Sequence, residues 1–364
     1  MAGWWAEDDT MNRRELLWRA PALFAGLGLG LHGGARAQSG VVSFGQSALL
    51  AAGGKGLRFE LLTLDDGGVK DRCVGNVKQL IDNGVAALVG LTSGAAAEAS
   101  MPLIEQAQIA LLGTASGNMG IRQGARSPAC HVRAGYDVEY RRMVTYIRDF
   151  GLRRVGYVYL QDTSKANLAA MTQALDAVGV KPAVAVGIDR NAKSLAPVAE
   201  QLLAANLDCV LFTTNATPIL SITGHMAAAR YPGMFFSSSF AGQDLIDGVA
   251  NSNRSVVMSL VVPRPTALGV GVVAQAKSDL AALGTGAKLG VTTLEGYIAG
   301  RVAVEAARQA AGKGGSVGRA RLKDALATLR TDLGGYRVAF APDSPQGSQY
   351  VDMVVIDRFG RIVG

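Results

Sequence analysis

Small hydroxyl residues recur at two places where an apolar run ends. Residues 85–90 form a short run rich in β-formers and give way to Leu91-Thr92-Ser93-Gly94. Residues 109–112 form a second run and give way to Gly113-Thr114-Ala115-Ser116-Gly117. Between them, residues 95–106 set Met101, Leu103 and Ile104 on one apolar helical side. Two strand–loop–helix units in succession put both loops at the carboxyl ends of neighbouring parallel strands. There, free backbone N–H groups and helix N-termini favour an anionic or polar ligand group. Ser93, Thr114 and Ser116, with Ala115 between the last two, then share one rim. For each hydroxyl taken alone, the alternative is simple helix capping.

Other reactive side chains are sparse. Asp162 ends an apolar run and either faces a cleft or caps the next helix, whereas Asp65-Asp66 read as caps. His131 begins a short strand and His225 lies in a helix, both read as structural. The one G-x-S-x-G match, Gly314 to Gly318, lies in a Gly-rich turn between two helical stretches with no strand before it, and no G-x-x-x-x-G-K-[ST] loop occurs, so triad hydrolysis and nucleotide binding have no sequence support. Cys73, Cys130 and Cys209 show no C-x-x-C spacing, and no metal or cofactor is expected. A Cys73–Cys130 disulfide stays open in an oxidising compartment.

The elements that must position these residues follow an alternating βα pattern. With 364 residues, 49% hydrophobic and 18% charged, the chain can build two domains with buried parallel sheets. A formal charge of +7 comes from scattered Lys and Arg with no basic run among aromatics, so nucleic acid is not the expected partner. Residues 1–37 read as an export signal: Arg13-Arg14 precede an apolar stretch over 20–31, and Ala35-Arg36-Ala37 is an A-x-A cleavage site. The paired arginines also suit twin-arginine export. Strands are expected near 41–44, 57–64, 154–160, 183–188, 209–213, 234–238 and 256–262. Helices are expected near 69–82, 137–150, 165–178, 195–205, 217–230, 270–283, 293–309 and 319–329. Residues 336–340 and 350–357 read as a terminal pair of strands. Breakers near Ala134-Gly135, Pro263 to Pro265 and Gly334-Gly335 suggest three crossings between two lobes. The expected fold is α/β, two doubly wound parallel-sheet lobes joined by a three-strand hinge. One lobe takes 38–134 with 263–334, the other 135–262 with 335–364.

From about Val41 to the C-terminus the chain resembles the Leu/Ile/Val-binding family of periplasmic solute-binding proteins of ABC transporters. The likeness rests on Leu64-Asp65-Asp66-Gly67, residues 76–81, 90–93, 113–117 and 133–136, Phe240-Ala241-Gly242, Leu294-Glu295-Gly296-Tyr297, and residues 334–340 in that order. The resemblance implies a monomer in the periplasm that clamps a small-molecule ligand between its lobes and delivers it to an ABC permease. It implies a carboxylate held by Ser93 and Thr114 to Ser116, and an aromatic, Tyr136, packed over the ligand. Asp162, Asn215 and Phe240 complete the expected site, with Asp244 meeting an ammonium group. A ligand-sensing module or, further off, a hydrolase are the alternative readings. Two departures stand out. Residues 45–56 leave room only for a near-minimal crossover where relatives place a long helix, and Asp162-Thr163-Ser164 replaces an aromatic-Gly pair.

Overall fold

The computed structural model describes residues 41–45, 57–122, 127–250, 252, 254–282, 287–312 and 317–364. The export segment expected over 1–37, the link at 46–56 and most of the Gly-rich turn after Gly312 lie outside the described residues.

The first sheet is built from β1 (Val41–Gly45), β2 (Arg58–Leu62), β3 (Ala87–Val89), β4 (Ala110–Leu112) and β5 (Ala129–Cys130). Their order is β2-β1-β3-β4-β5, all parallel. Along β3, β4 and β5 side chains alternate across it, and both sets are apolar because both faces are covered there. Leu88, Leu111 and Ala129 pack under α1 (Lys70–Asp82) and α2 (Gly94–Gln106) with Leu80 and Ile104. Val89, Leu112 and Cys130 turn to the opposite core, which includes Ala299 of α9 (Val291–Ala311) and Leu322 of α10 (Arg319–Thr328).

The second sheet holds β6 (Val155–Leu160), β7 (Val184–Ile188), β8 (Cys209–Thr213), β9 (Met234–Ser237), β10 (Val256–Leu260), β13 (Asp352–Ile356) and β14 (Ile362–Val363). Their order is β14-β13-β10-β9-β8-β6-β7. The first five in sequence run parallel, and β13 and β14 join antiparallel at one side. Tyr157, Leu211 and Phe236 pack against α3 (Tyr136–Asp149) and α4 (Lys165–Ala177) through Met143 and Met171. Val158, Phe212 and Phe235 turn to α5 (Ala196–Ala204), α6 (Ala216–Ala228) and α7 (Gly242–Val249). The remaining helix, α8 (Gly271–Ala282), packs beside α9. Two wound sheets with helices on both faces are the architecture the alternating pattern implies.

The last strands depart from the sequence reading. Residues 336–340 and 350–357 do not pair with each other. Instead β11 (Arg330–Asp332) and β12 (Arg337–Ala339) form a separate hairpin, while β13 pairs with β10. The reason lies in the turn: Gly334 and Gly335 adopt φ values of 92° and 88°, and the Asp332 carboxylate accepts both their N–H groups at 2.9 and 2.6 Å. A residue pair that reads as an interlobe breaker is thus a hairpin turn. The third passage between sheets comes later, where His131 N–H donates to Pro345 C=O and Gly347 N–H to His131 C=O. Tyr336 links the first two passages, its hydroxyl lying 2.7 Å from Val132 C=O and 3.1 Å from Val261 C=O.

No disulfide joins Cys73 to Cys130, and all three cysteines are buried free thiols. The first sheet separates the pair, Cys73 lying in the core under α1 and α2 and Cys130 in the opposite one. Burial pushes their thiols up to about 11 and about 12, so both stay protonated near neutrality.

Candidate functional site

Both hydroxyl loops lie at the carboxyl ends of their strands, and the two loops touch. Ser93 is the N-cap of α2, its Oγ accepting the Ala96 N–H at 3.3 Å. That capping role leaves its side chain exposed on the rim. The next residue, Gly94, approaches the second loop so closely that a Cβ there would stand 2.6 Å from Ser116 Oγ. The second loop turns at Gly113, whose φ is 63° and whose α-carbon faces Ala299; a Cβ would meet the Ala299 methyl at 2.4 Å.

Thr114 and Ser116 are buried, with Ala115 half-buried between them. Thr114 Oγ1 lies 3.3 Å from His131 Nδ1, and the other ring nitrogen lies 3.2 Å from Ile121 C=O. A carbonyl can only accept, so Nε2 carries the proton and Nδ1 accepts from the threonine. Burial, reinforced by Arg122, holds this imidazole well below its ordinary range and keeps it neutral. Ser116 Oγ accepts the Asn118 N–H at 3.2 Å, and Asn118 in turn donates to Gly94 C=O and to Glu98. The loop is therefore braced against α2.

Behind the loop sits a cation that the sequence reading did not single out. Arg122 is buried and donates to Ser116 C=O at 3.0 Å, to Arg133 C=O at 3.2 Å, and to the Gln346 side-chain oxygen. Its Nε has no hydrogen-bond partner, and among the described residues no carboxylate lies within ion-pair distance of it. Burial, with Arg133 nearby, lowers its pKa to about 9, still a cation at neutral pH.

Tyr136, at the first turn of α3, closes over this loop. Its N–H donates to Gly117 C=O at 2.9 Å, and a Cβ on Gly117 would strike its ring at 2.4 Å. The ring stacks on Tyr140 at 5.2 Å and meets Phe240 edge-on at 6.5 Å. The structure thus brings Ser93, Thr114, Ala115, Ser116, Tyr136 and Phe240 into one neighbourhood. Asn215 begins α6 at the end of β8, and its buried Oδ1 has no hydrogen-bond partner. Two acids fall differently. Asp162 is half exposed and held by Arg190 at 3.0 and 3.2 Å, and Asp244 is exposed in the first turn of α7. Asp162 is therefore neither a helix cap nor joined to the hydroxyl loops, but one side of a surface ion pair.

The acids that meet Arg133 are the buried Glu139 and the partly exposed Glu295. Arg133 donates to Glu139 at 3.1 Å, to Glu295 at 3.2 Å and to Ser239 Oγ at 2.6 Å. Glu139 also accepts from Ser239 N–H, Ser239 Oγ and Ser259 Oγ at 2.7–2.8 Å. Burial opposes the Arg133 charge, but the two carboxylates outweigh it and raise its pKa above the ordinary arginine value. The network ties the first passage to α3, to the end of β9 and to α9. Sequence carried no signal for it, because its members lie up to 162 positions apart.

Two wound α/β sheets with polar loops grouped at the carboxyl ends of neighbouring strands are an arrangement that in other α/β proteins holds small molecules. The family model for periplasmic binding proteins matches residues 42–360, and the chain belongs to that family. A substrate-binding periplasmic protein from Ralstonia solanacearum superposes with a TM-score of 0.77 at 22% identity, covering 89% of this chain and 98% of that one. A possible leucine/isoleucine/valine-binding protein from Rhodopirellula baltica SH 1 gives 0.79 at 20% identity, covering 90% and 98%. A branched chain amino acid ABC transporter protein from Thermus thermophilus, with bound valine, gives 0.75 at 13% identity, covering 90% and 95%. At these identities the likeness speaks for the fold. No curated protein matches the sequence.

Proposed function

We propose that this chain is the extracytoplasmic solute-binding component of an ABC importer. It holds a small carboxylate-bearing solute, an amino acid or related organic acid, between its lobes without changing it. The observation that carries the reading is the loop of Thr114, Ala115 and Ser116 with the buried Arg122 guanidinium behind it. A buried positive charge with no carboxylate at ion-pair distance among the described residues favours an anionic group nearby, and the Ser116 hydroxyl, unlike that of Thr114, which already donates to His131, can donate to it together with loop N–H groups. Ser93 and the N-terminus of α2 add the same preference from the neighbouring strand. Tyr136 and Phe240 supply the aromatic wall, and Asn215, Asp162 and Asp244 stand as candidates on the second lobe. The domain assignment that goes with this reading keeps the first two boundaries, near 134 and 263. It moves the third from 335 to about 345, because β12 pairs with β11. Residues 1–37 serve as the export signal, the permease is the partner, and the working form is a monomer.

Thermal-shift screening of the mature protein against amino acids and amine-free organic acids, with product analysis of every hit, tests the proposal. A carboxylate hit recovered unchanged, with affinity lowered about tenfold by Ser116→Ala, is expected for a charge-assisted hydrogen bond. Conversion of the hit to product, or hits confined to compounds without a carboxylate, would overturn it. Asp244→Ala separates ligand classes: it weakens an amino acid and leaves an amine-free acid unaffected.

A further inference from the structure

We infer that Gln243 and Thr292 form a helix-capping pair divided between the lobes, which holds them together and sets how readily the cleft opens. Helix α7 of the second lobe begins after Ala241 and helix α9 of the first begins after Gly290. Neither N-cap supplies a side-chain bond of its own. The leading N–H groups of a helix have no partner within it. Here each helix supplies one for the other: Gln243 Oε1 accepts the Val291 N–H at 3.0 Å, and Thr292 Oγ1 accepts the Gln243 N–H at 3.4 Å. Such reciprocity is that of a capping box, normally completed inside one helix. Gly290 makes the approach possible, since a Cβ there would stand 2.5 Å from Gln243 Oε1. Asp247 accepts from Gln243 Nε2 at 2.8 Å and so fixes which end of the amide faces α9.

A second contact repeats the device elsewhere between the lobes. Asn167 Oδ1, on α4, accepts the N–H of Met119 in the first lobe at 2.8 Å, while Asn167 Nδ2 donates to Thr163. In both places a side-chain amide of the second lobe satisfies a backbone N–H of the first, and separation of the lobes returns that N–H to water. The inference rests on the two-lobed fold and on no ligand, so its failure would leave the reading of the site intact.

Amide hydrogen exchange of the full mature protein, without added solute, tests it. The wild type is compared with Gln243→Ala, Gly290→Ala and, as control, Gln275→Ala, whose side chain bonds Asp279 within α8. Faster exchange at Val291 follows in the first two from losing the acceptor. The diagnostic amide is Met119, which neither substitution touches. Its exchange is expected to quicken about three- to tenfold in both variants, the scale of one net hydrogen bond, and to stay unchanged in the control. Gly290→Ala leaves every α9 side chain in place and serves if Gln243→Ala fails to fold. Unchanged protection at Met119 would reduce the pair to a local cap. Unprotected exchange at both Met119 and Val291 in the wild type would show that the pair does not hold the lobes. Either result, or equal quickening in the control, overturns the inference.

Discussion

Replacing Glu139 by glutamine should be among the most damaging single-atom changes this chain can suffer. Glu139 is 0% exposed and accepts from Arg133, from Ser239 N–H and from the hydroxyls of Ser239 and Ser259. A glutamine keeps the shape but converts one oxygen to NH2. Placed at Oε1 it confronts the Ser239 N–H, and placed at Oε2 it confronts the Arg133 guanidinium. Both are obligate donors, so neither orientation satisfies the site. Arg133 also loses one of its two carboxylates while remaining buried. Breaking a buried ion pair from one side costs about 3–5 kcal/mol, a large part of the roughly 5–15 kcal/mol that stabilises an ordinary domain. Urea unfolding followed by circular dichroism should show the midpoint falling sharply. The double variant Arg133→Met, Glu139→Leu should lose markedly less than the sum of the two single changes, because neither member of this pair is then left facing an unpaired partner and Glu295 alone loses its cation. A loss below about 1 kcal/mol for Glu139→Gln, or strict additivity in the cycle, would refute the account of this network.

Two further outcomes follow from the same site. His131 is held neutral in the folded protein, so below about pH 6.5 the unfolded chain binds the proton that the native site refuses. Its contribution to stability is complete above that pH and declines as pH falls, by at most about 1.4 kcal/mol per unit. In denaturation curves between pH 7 and 5, His131→Gln should remove that slope, and an identical slope in both proteins would contradict it. Gly113→Ala combines a left-handed backbone with a clash against Ala299 and should cost roughly 2–4 kcal/mol in thermal unfolding. Gly151→Ala, at φ 71° with open space around its Cβ position, should cost only the backbone part, and equal losses would dismiss the close approach.

Much of the fold was legible because it is local. Continuous apolar runs such as Cys209–Thr213 and amphipathic stretches such as Tyr136–Asp149 announce buried strands and the helices that cover them. Their alternation, kept up through β10, argues for parallel sheets. The end of the chain was misread because Gly334-Gly335 marks a turn without saying what it joins. Only the pairing partners β11 and β12 show that it closes a hairpin rather than crossing between lobes.

The sequence by itself determined the two hydroxyl loops and their place at strand ends, since a βα unit must put its loop there whatever surrounds it. Tyr136 and Phe240 were expected beside them only through the family resemblance, since no spacing in the chain links residues 136 and 240 to these loops. What only the tertiary structure decided is the electrostatics of that place. Asp162 is visible at a strand end yet spends its charge on Arg190, while Arg122, Arg133, Glu139 and Glu295 set the charge behind the loop. An arginine in a sequence does not reveal whether a carboxylate will reach it. That depends on burial and on partners as distant as Glu295, which the first passage and α9 bring together only once both sheets are packed.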